Sequence, residues 1–183
     1  NKALSLVNAG VLTSEINNLI DLDVSSKGIS DLTGIEDFIA LQDLNCSNNS
    51  LTNLDISNNV ALTKVTCSDN NLSSLDFSKN TALITIDCSN NTLSTIDLTA
   101  NTKLNILNIS NNLFAEFSPS VISKLEEFNC GFNQLIDLDL SSNIALINLS
   151  CVSNQLQTLN IRNGTNTSLG TVDATNNPDL SCI

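Results

Sequence analysis

Histidine, tryptophan, tyrosine and methionine are absent from this chain of 183 residues, and basic residues are few. Histidine is the side chain that most often acts as a general base or a metal ligand near neutral pH, so its absence makes an enzyme less favoured. The 7 basic residues stand against 19 acidic ones, which gives a net charge of −12. Because nucleic acids and anionic membranes attract positive charge, we expect neither as a partner.

Long apolar runs and paired cysteine motifs are also missing. No run approaches the ~18 apolar residues that a membrane-spanning helix needs, so we expect no membrane insertion. The 6 cysteines include no Cys-x-x-Cys pair, which argues against a zinc site or a redox couple. The aromatic residues are 6 phenylalanines, so sugar platforms and tight hydrophobic interfaces have few candidate anchors.

What the chain does contain is a repeat of 21 residues. Counting each repeat from its leading leucine as position 0, positions 3, 5, 10, 13 and 15 are apolar, and positions 8 and 18 are mostly asparagine. A fixed period of about 20 to 50 residues indicates a solenoid whose coils bury their apolar faces by stacking. The leading leucines are Leu41, Leu62, Leu83, Leu104, Leu125 and Leu146, with Leu169 in a last unit and Leu19 in a degenerate first one.

The line Leu-x-x-Leu-x-Cys/Leu-x-x-Asn-x-Leu resembles the leucine-rich repeat. The second half of each repeat copies the first at an offset of ten residues, and this nested form is similar to the short bacterial subclass called IRREKO. The resemblance covers roughly residues 19–183 and extends to secreted and surface internalin-like proteins. It implies an α/β-type solenoid with a right-handed coil, a parallel β-sheet on the concave side, short strands or tight turns on the other side, and little helix.

Two domain-level expectations follow. Residues 1–18 lack the repeat and are interpreted as a helical cap over the first of about eight coils in residues 19–183. The last coil is incomplete, and solenoids need a terminal cap. We therefore expect a monomeric fragment of a larger protein, whose C-terminal cap and partner for Cys182 are missing.

The inward columns of the repeat have structural interpretations. Alternation along a strand directs positions 3 and 5 inward and positions 2, 4 and 6 outward. We interpret the position-5 cysteines as small buried hydrophobes, because in-register side chains ~4.8 Å apart are too wide for an unstrained disulfide. The asparagines are expected to satisfy the backbone of the turns. The position-5 cysteines are Cys46, Cys67, Cys88, Cys130 and Cys151.

The repeat that begins at Leu104 departs from the pattern. Ser118 followed by Pro119 predicts a capped helical turn over residues 119–124. A local apolar patch beside this break is one interpretation, and a single divergent coil is the alternative. The candidate patch residues are Ile106, Phe132 and Val152. The phenylalanines that we expect at the surface are Phe132 and Phe38.

Function is expected on the concave face, where positions 2 and 4 vary over a constant core. Short, hydrogen-bonding and variable side chains are typical of a recognition surface, although any solvated sheet face has a similar composition. The candidate binding residues are Asp43, Asn45, Lys64, Thr66, Thr85, Asp87, Ile106, Asn108, Glu127, Asn129, Phe132, Asn148 and Ser150.

A second column, position 14, carries a carboxylate in four repeats. Carboxylates one coil apart repel each other unless a cation or a backbone donor intervenes, and oxygen ligands in a row suit Ca²⁺. The alternative is that each aspartate accepts hydrogen bonds from its own turn. The candidate Ca²⁺ ligands are Asp55, Asp76, Asp97 and Asp139, and no other cofactor is expected.

These patterns favour a non-enzymatic, extracellular module of a secreted or surface bacterial protein that binds a protein or polysaccharide partner in adhesion. The alternative is a spacer domain of a larger cell-surface protein. An enzyme would need clustered residues, whereas the nearest carboxylates, Asp87 with Asp43 or Glu127, lie on different coils. An ice-binding surface on the serines and threonines of position 16 is disfavoured because a regular paired threonine array is absent.

Overall fold

The computed structural model describes residues 16–164 and 168–181. Most of the cap predicted for residues 1–18, and Cys182, therefore lie outside the described residues. Within them, helix is confined to Ile16, a 3₁₀ turn at Ile35–Asp37 and a single 3₁₀ residue, Ser168. None of the helical segments in this part of the chain is long and apolar enough to cross a membrane.

In the described part of the chain, ten strands of three residues each form two parallel sheets, and the predicted fold class is confirmed. The main sheet has eight strands, and the second sheet has two strands. The main sheet comprises β1 (Asp21–Asp23), β2 (Asp43–Asn45), β3 (Lys64–Thr66), β4 (Thr85–Asp87), β5 (Ile106–Asn108), β6 (Glu127–Asn129), β8 (Asn148–Ser150) and β10 (Thr171–Asp173). The second sheet comprises β7 (Asp137–Asp139) and β9 (Thr158–Asn160).

The repeat sets the register of the main sheet. Each strand residue pairs with its counterpart in the next coil, as Asp43 does with Lys64, and every neighbour in the sheet is the next coil along the chain. Paired residues are 21 apart in the sequence except at the two ends of the sheet. Asp21 pairs with Asp43, and Asn148 pairs with Thr171, so these two connections are longer than the others. The middle residue of β2 through β9 is buried, while Val172 in β10 is 40% exposed at the end of the sheet.

The core is a stack of similar layers, one from each coil. The coils stack because one coil is too narrow to bury its own apolar face. The leading leucines from Leu41 to Leu146 are fully buried, and so are the five position-5 cysteines. The largest side chains in this core are phenylalanines, among them Phe77, Phe114 and Phe128. The predicted inward orientation of these columns is confirmed.

The position-8 asparagines hold neighbouring coils together, as the sequence predicts. The Asn70 side-chain oxygen accepts a hydrogen bond from the Leu51 amide at 3.0 Å, and its amide group donates to three carbonyls at 3.1 Å. The position-18 asparagines make fewer bonds. The Asn80 amide group donates to Ile56 and Asn59 carbonyls at 2.9 and 3.0 Å, while its oxygen, buried like those of Asn59, Asn101 and Asn143, has no protein partner.

Two local predictions are wrong. Phe38 is 2% exposed, because it occupies the inward slot that Asn59 fills in the next coil, three residues before a leading leucine. Residues 119–124 form two successive turns and no helix. The amides of Ile122 and Leu125 donate to Pro119 and Ile122, the same short-range bonds that link Asn59 and Leu62 to the residues three before them. The coil must begin its next strand at Glu127, and this leaves no room for a helix.

Candidate functional site

The concave face of the main sheet is a shallow groove of about 500 Å³ that runs from β3 to β10. Positions 2 and 4 point into it because positions 3 and 5 are buried in the core. Ten of the thirteen predicted binding residues line it: Lys64, Thr66, Thr85, Asp87, Ile106, Asn108, Glu127, Asn129, Asn148 and Ser150. Asp43 and Asn45 lie on the adjacent strand β2, and Phe132 lies beyond the end of β6.

Two further exposed residues of the groove were not among the candidates. Thr171 and Asp173 of β10 line it together with the ten predicted residues. The signal was present in the sequence, because they occupy positions 2 and 4 of the unit that begins at Leu169.

Position 4 serves the backbone as well as the groove. The side-chain oxygens of Asn45, Asp87 and Asn108 each accept a hydrogen bond from the amide two residues later, at 3.0–3.1 Å. A serine hydroxyl two residues later adds a second bond at 2.7 Å in these coils. One oxygen of the Asn45, Asp87 and Asn108 side chains is therefore committed to a local turn, and this favours asparagine or aspartate at position 4 of these coils.

Position 2 has no such task, and its side chains differ from coil to coil. Lys64 forms an ion pair with Asp43 at 3.2 Å. At the other end of the groove, the Thr171 hydroxyl donates to the Asn148 side-chain oxygen at 2.8 Å. Thr85, Ile106 and Glu127 lie side by side between these two pairs. Position 2 is therefore the column in which the side chains can change the groove without changing the fold.

The concave face is acidic. Lys64 is its single basic residue among those described, and the other described basic residues lie outside the strands. The carboxylates at positions 2 and 4 of the main sheet are Asp21, Asp23, Asp43, Asp87, Glu127 and Asp173. Hydrogen bonds from Thr175 hold the pKa of Asp173 below its usual value, so this carboxyl is ionised at neutral pH.

Aliphatic side chains accompany these charges. Ile106, half-buried, lies in the centre of the groove with Thr85 and Glu127 as its lateral neighbours. Ile84 and Ile147, at position 1 of their coils, are 45% and 38% exposed beside the amino-terminal ends of the strands. The groove therefore combines an apolar centre with acidic surroundings.

Phe132 forms a separate surface feature with Val152. Phe132 is 53% exposed, and its backbone φ of 55° is in the left-handed region. A Cβ on the preceding Gly131 would lie 2.8 Å from Cγ1 of Val152, so glycine is required there. Phe132 lies three residues beyond the end of β6, whereas Ile106 is on β5 within the groove.

The position-14 aspartates on the opposite side accept hydrogen bonds from their own turns. The carboxylates of Asp55, Asp76 and Asp97 accept from the amide two residues later at 2.8–3.0 Å, and Asp139 does the same at 2.9 Å. These bonds lower the pKa of each carboxyl. Asn160 makes the same bond with an amide oxygen, so the turn needs no charge.

Ca²⁺ binding by this column stays a prediction. The turn bonds account for the aspartates without a cation, and the described residues hold no group of three or more acidic, histidine or cysteine side chains arranged to bind a metal ion. The five described cysteines are free and buried, as expected for small hydrophobes. Burial raises the pKa of the Cys46 thiol to about 12, so these side chains are poor nucleophiles in the folded protein.

No protein-family model matches the sequence, and neither does any curated protein. Solved structures of similar shape are leucine-rich repeat proteins, including bacterial internalins. The functional domain of InlJ from Listeria monocytogenes, which includes a cysteine ladder, is 20% identical with a TM-score of 0.68, over 92% of this chain and 56% of that one. The internalin InlF from the same species is 19% identical with a TM-score of 0.74, over 90% of this chain and 53% of that one.

A plant protein supplies a third match. The leucine-rich repeat ectodomain of the membrane receptor kinase GASSHO1/SCHENGEN3 from Arabidopsis thaliana, in complex with Casparian strip integrity factor 2, is 22% identical with a TM-score of 0.74. The match covers 86% of this chain and 21% of that one. These structural matches establish the leucine-rich repeat fold. The chain spans about half the length of the two internalins.

Proposed function

We propose that this chain is a non-enzymatic recognition module that binds a protein partner through its concave groove. The observation that carries the proposal is the contrast between the position-2 column and everything beneath it. The core layers, the asparagines and the turns repeat almost unchanged from coil to coil, while Lys64, Thr85, Ile106, Glu127 and Asn148 share one exposed column and differ in charge, size and polarity.

The groove also has the form that a partner requires. It is open, it crosses six strands, and it presents backbone-anchored polar side chains at position 4 beside aliphatic ones at position 2. A solenoid face of this kind contacts an extended surface and does not enclose a small molecule. One of the similar structures, the plant receptor ectodomain, is itself a complex with a second protein, which supports the same mode here.

We further propose that the chain acts outside the cell, as part of a secreted or surface protein in adhesion or recognition. The similarity to internalins and to a receptor ectodomain supports this location. A catalytic role is not proposed, because Asp87 and Glu127 are on strands separated by β5 and each is flanked by polar or aliphatic neighbours. The chain has no histidine, which is the side chain that most often serves as a general base near neutral pH.

Site-specific photo-cross-linking tests the proposal. A photoreactive amino acid replaces Thr85 in the groove in one variant and Thr99, exposed on the opposite side, in the matched control. Each protein is incubated with surface and extracellular protein fractions and irradiated. We expect defined adducts from position 85 and none from position 99. Adducts of equal yield from both positions, or none from either, would contradict a recognition role for the groove and would favour a spacer.

A further inference from the structure

We propose that the segment bound in the groove is basic: an extended stretch in which lysine or arginine residues flank an aliphatic side chain. This inference rests on the proposed function of the groove, because it names the chemistry of the partner for that surface. It follows from three features of the groove: the sign of its charge, the place where that charge is already neutralised, and the spacing of the remaining carboxylates around Ile106.

The charge of the groove is unbalanced. Its lining includes three carboxylates, Asp87, Glu127 and Asp173, and one basic residue, Lys64. Lys64 is already paired with Asp43 of the adjacent strand at 3.2 Å. The stretch from β4 to β10 therefore presents negative charge with no positive side chain among its described lining residues. An acidic partner would be repelled there, whereas a basic one gains both steering and contact energy.

The carboxylates surround an apolar centre. Ile106 lies next to Glu127 on one side, and Asp87 pairs with Asn108, two residues along the same strand face. Asp87 and Glu127 are thus two strands and two residues apart, a separation of roughly 12 Å between Cα atoms. Every second residue of an extended peptide points the same way, at steps of about 7 Å, so basic residues four apart are about 13 Å from each other. The residue between two such basic side chains then faces Ile106.

The side chains on both sides of this contact suit a long basic residue. The aliphatic stem of lysine or arginine can pack on Ile106 while its charged end reaches a carboxylate. Asp87 keeps one carboxylate oxygen for this purpose, since its other oxygen accepts the Ser89 amide and hydroxyl. That turn also fixes the Asp87 side chain in place before a partner arrives, which reduces the entropy lost on binding.

Binding of a defined peptide tests the inference. The probe is fluorescein-labelled Thr-Lys-Thr-Ile-Thr-Lys-Thr, in which the two lysines and the isoleucine point to the same side of an extended chain. It is compared with its charge-reversed form Thr-Glu-Thr-Ile-Thr-Glu-Thr and with a form that has asparagine in place of isoleucine. Fluorescence anisotropy is recorded at low and at physiological salt with the full chain. We expect the basic peptide to bind, the acidic peptide to show no binding, and the asparagine form to bind more weakly.

Matched double variants locate the contact. Asp87→Asn with Glu127→Gln removes two charges from the groove, and Asp76→Asn with Asp97→Asn removes two from the opposite side. All the aspartate changes preserve their turns, because Asn108 and Asn160 make the same bonds in the same slots. We expect the groove pair to weaken the basic peptide about tenfold or more, and the control pair less than about twofold.

Equal weakening by the two pairs would overturn the inference, because it would mean attraction by the net charge alone. Equal binding of the basic and acidic peptides would overturn it as well. The outcome is separable from that of the cross-linking experiment. If position 85 yields adducts and the basic peptide fails to bind, the groove remains a recognition surface for a partner of other chemistry. If position 85 yields none, both proposals fall.

Discussion

At the scale of the residue, position 7 shows how the repeat chooses side chains. Its backbone is left-handed in every described coil, from Ser26 and Asn48 to Asn176, with φ between 52° and 58°. Asparagine and aspartate tolerate this conformation because their short side chains bond locally, whereas other L-residues lose roughly 1–2 kcal/mol in it. Phe132 is the one large apolar residue in this column.

Replacing Phe132 by asparagine is therefore expected to stabilise the protein by about 0.5–1 kcal/mol, measured from the urea unfolding midpoint. Phe132→Leu is the matched control, because it also shortens the exposed side chain but keeps a residue disfavoured in the left-handed region. The leucine variant should stay within about 0.5 kcal/mol of the original protein. Equal stability of the two variants would show that the backbone conformation has no cost at this position.

Replacing a position-8 asparagine is expected to destabilise the protein. Asn91 accepts a bond from the Leu72 amide at 2.9 Å and donates to the carbonyls of Cys67, Cys88 and Ser89 at 3.1–3.2 Å. Asn91→Ala leaves these buried backbone groups without partners and should cost about 2–4 kcal/mol in the free energy of unfolding. Asn71→Ala, at an exposed position of the preceding coil, should change it by less than about 0.5 kcal/mol in the same urea titration.

At the scale of the element, the strands were predictable and the departures from them were not. The alternation of buried and exposed positions, such as Leu44 between Asp43 and Asn45, follows from a period of two in the sequence. The spacing of Leu104 and Leu125 does show that the coil with Pro119 keeps the length of its neighbours, but a capping rule that considers Ser118 and Pro119 alone does not use this constraint. Local capping rules therefore predicted a helix where the stacking of coils imposes two turns.

The column of cysteines along these strands predicts a loss of stability in alkali. Burial raises the thiol pKa to about 12 for Cys46 and to about 11 for Cys151, and it raises the pKa of Cys67 well above its usual value. Folded thiols thus keep their protons above pH 9, where the thiols of the unfolded chain ionise. The unfolded state then binds fewer protons, so stability falls as pH rises, by about 1.4 kcal/mol per pH unit for each such thiol.

This dependence is measurable as the urea midpoint between pH 8 and pH 10.5. Replacing Cys46 and Cys67 by valine, the residue that Val24 provides in the same slot, should remove two thiols from the titration and flatten the curve. The stability of both proteins should be independent of thiol ionisation below pH 8. An unchanged slope in the valine variant would show that other groups cause the alkaline loss.

At the scale of the whole molecule, the groove is a product of stacking, and the sequence indicated it only in part. Which columns face it follows from alternation, and ten of its predicted residues line it. That Lys64 and Asp43 are neighbours follows from the repeat as well, but the 3.2 Å ion pair between them depends on the conformations of the two side chains, which the repeat does not specify. The position-4 turns were also hidden, although the Asn/Asp-x-Ser pattern that forms them is visible once Ser47 and Ser89 are seen to bond back.

Removing whole coils tests how far the layers are interchangeable. Deleting residues 62–82 brings Ser47 beside Ser89, a contact like those already present. Deleting residues 125–145 brings Ser110 beside Val152, where a Cβ in place of Gly131 would lie 2.8 Å from Cγ1. We expect the second deletion to be less stable by about 1–3 kcal/mol, as judged from thermal and urea unfolding.

Val152→Ser should recover part of that difference in the shortened protein, because serine occupies this position in most other coils. In the chain without a deletion, the neighbour of Val152 is Gly131, so the same change relieves no steric contact and should not raise the free energy of unfolding. If it stabilises both proteins alike, the close approach of Gly131 and Val152 is not the cause.

The same interchangeability has a genetic consequence. Repeats this alike in sequence favour unequal recombination between copies, and because every coil pairs only with its neighbours, a gene that gains or loses one repeat in frame still encodes a foldable protein. The length of the groove, and with it the reach along a partner, can then change between generations in steps of one coil. The boundary at Gly131 and Val152 is the junction where such an exchange meets a steric barrier, so we expect natural length variants to differ in the coils before it.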